Sequence, residues 1–175
     1  MRTVYVASGA NTTFIGKFHP DFIWKKHPDF GKRQNPSIED YIADAAIEAL
    51  AGVGATAAAV DKAFIGNFVG ELFTQQGHLG ALLAAADPDL SGKPIVRVEA
   101  ACASGGVALA LGFDAIQAGA DVVLVVGAEV QNTVNAKTGA DYLARAAHYR
   151  RQRSIDDFTF PALFARRAKA MVETT

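Results

Sequence analysis

The chain has 175 residues, half of them apolar, 9% aromatic and 20% charged, which is room for one domain, or one domain with a small appendage, and enough apolar material for a core. Seventeen basic residues against eighteen acidic ones leave a net charge of -1, which argues against a basic nucleic-acid footprint and against an acidic tail. A single cysteine, Cys102, excludes an internal disulfide framework and a zinc site of the multi-cysteine kind, and it suits a reducing compartment.

Residues 2–8 alternate and are β-branched, which predicts a first strand. The chain enters this stretch directly, with no basic region followed by a long apolar one, so no signal peptide is expected. Residues 11–35, with His19-Pro20 and His27-Pro28, read as a long loop that packs on a partner or covers a site. Ser37 reads as a helix N-cap with Asp40 as its capping-box partner, and Ile38, Tyr41, Ile42, Ala45, Ala46 and Ala49 repeat at helical spacing until Gly52 and Gly54.

Residues 63–68 read as a second strand, and an Ala/Leu helix is expected over 75–86, broken by Asp87-Pro88-Asp89. Residues 95–99 form a third strand, a tight junction of small residues runs from Ala100 to Gly106, and a helix follows until Gly119. Residues 121–129 are nearly continuously apolar, the pattern of a strand buried on both faces of a parallel sheet. Alternation of strands and helices predicts an α/β fold. From Gln131 the character changes: arginines cluster over 145–153, and Phe158, Phe160, Leu163 and Phe164 lead into a short basic helix ending at Thr175. The apolar runs at 81–86 and 122–126 are far shorter than the roughly 20 residues a membrane-spanning helix needs, so the expected location is the cytoplasm.

Cys102 carries the most chemical information. It stands where a strand turns into a helix, and a helix N-terminus offers free amide donors and a partial positive charge. A thiol so placed is more readily the thiolate, the reactive form, and the neighbouring backbone amides suit a developing oxyanion. Ala100, Ala101, Ala103, Gly105 and Gly106 let a substrate approach the backbone closely. Two other readings compete: a lone cysteine as a small buried hydrophobe, and a G-x-nucleophile-x-G elbow, which Ala100 and Ser104 match poorly. Gly66, Gly70 and Gly77 do not form a dinucleotide-binding fingerprint.

The string Val98-Glu99-Ala100-Ala101-Cys102-Ala103-Ser104-Gly105-Gly106 resembles the nucleophilic-cysteine motif of the thiolase family, in particular the acetyl-CoA acetyltransferases of its sterol-carrier-protein-type branch. Thr13 to Phe18, the Val-Val-Gly-Ala-Glu end of 121–129, and Phe158 to Ala165 resemble further segments of that family in the same order. The resemblance implies a thiolase-like N-terminal α/β domain over 1–132, a mostly parallel sheet with helices on both faces, and the helical start of a loop region over 133–175. It implies that Cys102 takes the acyl group of a CoA thioester and passes it to a second acetyl-CoA or to free CoA. Coenzyme A enters as substrate, so no resident cofactor and no metal are expected. Homo-oligomers, with subunits pairing near the cysteine-bearing strand, are implied as well.

The family takes its bases from histidine motifs and a second cysteine in its other half. Here there is no second cysteine, and His19, His27, His78 and His148 stand in no such motif. The C-terminal domain is therefore expected to be absent from this chain, and since in the family the last strand of the first domain follows the loop region, the resemblance implies that this strand is missing too. An exposed sheet edge is then expected to be sticky, and the chain alone inactive. Expected partners are acyl-CoA, a further copy or a complementary C-terminal chain, and neither nucleic acid nor membrane. The alternatives are a non-catalytic subunit that binds acyl-CoA or a partner protein, and a truncated product without function. Arg145, Arg150, Arg151, Arg153, Arg166 and Arg167 read either as a contact for CoA phosphates or as a solvated helix face. Glu129, at the end of the apolar strand, has a position that would suit a catalytic group, but reads rather as a structural hydrogen-bonding group near a dimer contact. Val130-Gln131-Asn132 stand where the wider family often has a methionine, which leaves the pocket lining open.

Overall fold

The computed structural model describes residues 2–174. Thr175, where the basic helix is expected to end, lies outside the described residues. Helix α1 (Ile38–Ala51) starts where its cap predicts: the Ser37 hydroxyl accepts from the Asp40 amide at 3.2 Å, and the Asp40 carboxylate accepts from the Ser37 amide at 2.7 Å. The Ser37 amide first, and then the Ser37 hydroxyl, which donates to the same carboxylate at 2.9 Å, hold the Asp40 carboxyl below its ordinary range. Ile38, Ile42 and Ala46 fall one turn apart and are buried.

Strand β1 (Lys62–Gly66) is the centre of a parallel sheet. It pairs on one side with β2 (Ile95–Val98), Ala63 against Ile95, and on the other with β3 (Val123–Gly127), Ala63 against Leu124. The alternation along β1 places its side chains in two separate cores. Ala63 and Ile65 join Ile38, Ile42, Leu79, Leu83, Leu124 and Val126 on one face, while Phe64 joins Ala108 and Ala115 on the other. Helices α1 and α3 (Leu79–Ala86) cover the first face and α4 (Ser104–Gln117) covers the second. The result is the expected α/β layering with helices on both faces. Each fully buried aliphatic side chain contributes roughly 1.5–3 kcal/mol, so the larger first cluster dominates stability. Asp61, just before β1, accepts from the amides of Asp121 and Val122, which sets the start of β3 beside it.

Three expectations need correction. Residues 2–8 make no strand: they pair in no ladder. Arg2 binds the end of α4, donating to the carbonyls of Ile116 and Ala120 and to Asp121, and Asn132 donates to the Ile15 carbonyl. Between these ties the segment arches over an apolar groove of about 1080 Å³ beside β3. β-branched residues become a strand only when a neighbouring backbone stands about 4.8 Å away, and none does. The helix expected over 75–86 starts later, as α3 at Leu79, because Gln75 (φ +57) and His78 (φ +50) stand in left-handed backbone that no helix continues through; a separate short helix not expected from the sequence, α2 (Gly70–Thr74), precedes them. β3 is fully buried on one face only, at Leu124 and Val126; Val123 and Val125 on the α4 side are half-buried, because β3 lies at the edge of the sheet.

Beyond β3 come α5 (Ala136–Leu143), α6 (Tyr149–Gln152) and α7 (Thr159–Glu173). α5 rests on α2 through an edge-to-face pair of Phe73 and Tyr142, ring centres 5.1 Å apart. α7 is anchored at its start, where the buried Thr159 hydroxyl bonds the carbonyls of Arg153 and Asp156; its far end, with Met171 and Val172, is exposed.

Candidate functional site

All three strands end on the same side, and the backbone beyond Gly66, Val98 and Gly127 surrounds a cleft of about 460 Å³. Clefts at the carboxyl ends of parallel strands are where α/β folds hold ligands, and this volume suits a small molecule or part of a larger one.

The elbow between β2 and α4 forms one wall. Ala101 is left-handed, with φ +49, a conformation that costs a non-glycine residue free energy. Local bonds hold it there. The Ser104 hydroxyl accepts from the Ala100 amide at 3.0 Å and donates to the Ala101 carbonyl at 2.6 Å, and the Glu99 carboxylate accepts from the Ala101 amide. The Ala103 and Ser104 amides close the turn onto the carbonyls of Ala100 and Ala101.

Cys102 sits at the tip of this elbow and is exposed, lining the cleft. It is therefore not the small buried hydrophobe that most lone cysteines are. Nothing stands within 4 Å above Gly105 or Gly106, so the first turn of α4 presents open backbone. Gly66 does the opposite job: a Cβ there would meet the Ser104 carbonyl and the Gly105 nitrogen at 2.7 Å. The absence of a side chain on Gly66 lets the start of α4 sit directly on the end of β1.

A polar wall faces the elbow. Asn67, 1% exposed, donates to the Ala128 carbonyl at 2.7 Å and to Glu129 at 3.1 Å, and accepts from the Gly70 amide. The same Glu129 oxygen accepts from the Phe68 amide at 2.8 Å. Glu129 is thus the hydrogen-bonding group its position suggests. Sequence patterning does not single out Asn67; its one signal is a lone amide directly after an apolar strand. Leu143, Ala146 and Phe160 from the 133–174 region line the cleft as well, so that region helps to enclose Cys102.

None of the four histidines lines the cleft. The Nδ1 atoms of His19 and His27 accept from the amides of Asp21 and Asp29, His78 precedes α3, and the His148 amide donates to Gln152. The arginine cluster divides. Arg145 and Arg153 are both held by Asp141, with Arg145 at 2.7 Å, and the Arg145 guanidinium lies 4.3 Å from the centre of the Tyr149 ring. Tyr149 also donates to Asp141 at 2.9 Å. Arg145 first, then Arg153 and Tyr149, hold the Asp141 carboxyl down to about 2. Arg150, Arg151, Arg166 and Arg167 are exposed. Among the described residues, no group of three or more histidine, cysteine or acidic side chains is placed to hold a metal ion, and no helix is long and apolar enough to cross a membrane.

A family model described as thiolase, N-terminal domain, matches residues 27–171. An acetyl-CoA acetyltransferase of Methanothermobacter thermautotrophicus is 36% identical over 134 residues, covering 76% of this chain and 34% of that protein. An acetyl-CoA acetyltransferase of Methanocaldococcus jannaschii is 34% identical over 134 residues, covering 76% of this chain and 33% of that protein. The chain spans about a third of the length of these two relatives.

Proposed function

The chain belongs to the thiolase family by its N-terminal domain, and on that premise we propose that it carries the nucleophile of a thiolase-type acyl-CoA acyltransferase, with Cys102 as acyl acceptor. One observation supports this above the others: Cys102 is exposed, at the helix-opening elbow of a cleft at the carboxyl ends of the strands. In the reaction, the Cys102 thiolate attacks the thioester carbonyl and a C–S bond forms. Backbone amides at the elbow, that of Cys102 among them, receive the oxyanion. The intermediate collapses with loss of CoA thiolate, which takes up the proton that left Cys102, and the acyl group stays on sulfur. A second acetyl-CoA carbanion or free CoA then removes it.

The second step and the proton transfers need bases. No histidine of this chain lines the cleft, and the relatives extend over about three times the matched length. We assign those bases to a complementary C-terminal thiolase half, on the same protein or another. The complete unit, by the same reading, is cytoplasmic and oligomeric, and its substrate is an acyl-CoA.

Mass spectrometry tests the assignment. The protein is incubated with acetyl-CoA, alone and together with a C-terminal thiolase half from one of the relatives, and its intact mass is measured. The expected result is one acetyl group, mapped to Cys102, in the combined sample and none in Cys102→Ala. A combined sample that never acquires the group overturns the proposal.

A further inference from the structure

We propose that Ser104 is a positioning residue for Cys102, acting as the clasp that keeps Ala101 left-handed; its role in acyl transfer rests on the function proposed above. A non-glycine residue at φ +49 returns to ordinary backbone unless its surroundings over-determine it. Ser104 is 4% exposed, and its hydroxyl bridges both sides of the strained residue, accepting from the Ala100 amide and donating to the Ala101 carbonyl. The single hydroxyl proton is therefore committed to Ala101 and is not available to a substrate. Glu99 holds the Ala101 amide from the outside, but its side chain belongs to an exposed stretch, whereas Ser104 is packed where α4 meets Gly66. The clasp thus ties the direction in which Cys102 leaves the turn to the best-seated point of the elbow. Without the hydroxyl, Ala101 relaxes and the thiol no longer stands where the backbone donors of α4 converge. A displacement of about 1 Å at a reacting group can lower a rate on the order of a hundredfold.

The test compares wild type, Ser104→Ala and the double variant Ser104→Ala/Ala101→Gly. Glycine adopts positive φ without penalty, so the double variant no longer needs the clasp. The first readout is the pH–rate profile of iodoacetamide alkylation, which reports on Cys102 alone because it is the only thiol. The second is acetyl transfer from acetyl-CoA in the presence of the C-terminal half. Ser104→Ala is expected to change the alkylation profile and to lower acetyl transfer by about tenfold or more, toward the hundredfold limit. The double variant is expected to restore both. If folded Ser104→Ala overlays wild type in the alkylation profile, or if the double variant remains as altered as the single one, the proposal falls. If Ser104→Ala does not fold, the double variant decides alone, and its failure to fold or to match wild type also overturns the clasp. A wild-type protein that is never acetylated refutes the proposed function, while the alkylation profiles still judge the clasp.

Discussion

Asn67 and Glu129 join the ends of two neighbouring strands: the Asn67 amide nitrogen donates to the Glu129 carboxylate at 3.1 Å, across 62 positions of sequence. The pair lines the same cleft as Cys102 and ties the exit of β1 to that of β3.

Asn67→Ala is expected to cost about 1–3 kcal/mol, because it leaves the Ala128 carbonyl and the Gly70 amide without their partner in a buried place. Urea unfolding of the variant against wild type measures it. A cost near zero shows that water replaces the amide and that the strand exits are not held by it.

Gly66→Ala places a Cβ at 2.7 Å from backbone atoms of Ser104 and Gly105. Backbone cannot swing aside as a long side chain does, so α4 must shift. A loss of about 1–3 kcal/mol is expected, together with a changed rate of Cys102 alkylation. Gly105→Ala, with open space around it, serves as the comparison, and equal effects in both would contradict this account.

Asp141 predicts an acid-sensitive region. Its carboxyl lies at about 2 against an ordinary 3.8, so the folded state holds the charged form more strongly than the unfolded chain does. The stabilisation is complete above 3.8 and is lost as the pH falls through 3.8 toward 2. Wild type is therefore expected to melt higher than Asp141→Asn at neutral pH, with the gap closing across that window. A gap in Tm that stays constant down to pH 2 would show that the Arg145–Asp141–Arg153 cluster contributes nothing as an ion network.

The edge of β3 predicts alternating amide exchange. The Val122 carbonyl and the Ala128 amide face β1, so by the two-residue period the amides of Leu124 and Val126 face β1 as well. Those of Val123, Val125 and Gly127 point to the open groove. Hydrogen exchange by NMR is expected to be slow for the first pair and at least tenfold faster for the second set. Uniform protection would mean that a further strand, from another copy, covers the edge.

Much of this was legible from local pattern. The Ser37–Asp40 cap and the Ile38, Ile42, Ala46 spacing specify α1, because a helix start and a helix face are decided within a few residues. The apolar runs around Phe64, Val96 and Leu124 specify the strands, and the small residues around Cys102 mark the elbow. Residues 2–8 show the limit. Their side chains favour a strand, yet a strand is a relation to a second backbone, and only the assembled chain decides whether one is there.

The same reason governs the site. Sequence alone determined the fold class, the family and the place of Cys102, all of which rest on short contiguous strings. The tertiary structure decided that Asn67 and Glu129 form the opposite wall, that Asp141 takes two of the arginines, and that Gly66 must lack a side chain for α4 to reach β1. Hydrogen bonds and steric contact act over a few ångströms, and the groups concerned lie up to 62 residues apart along the chain, so no local pattern could announce them.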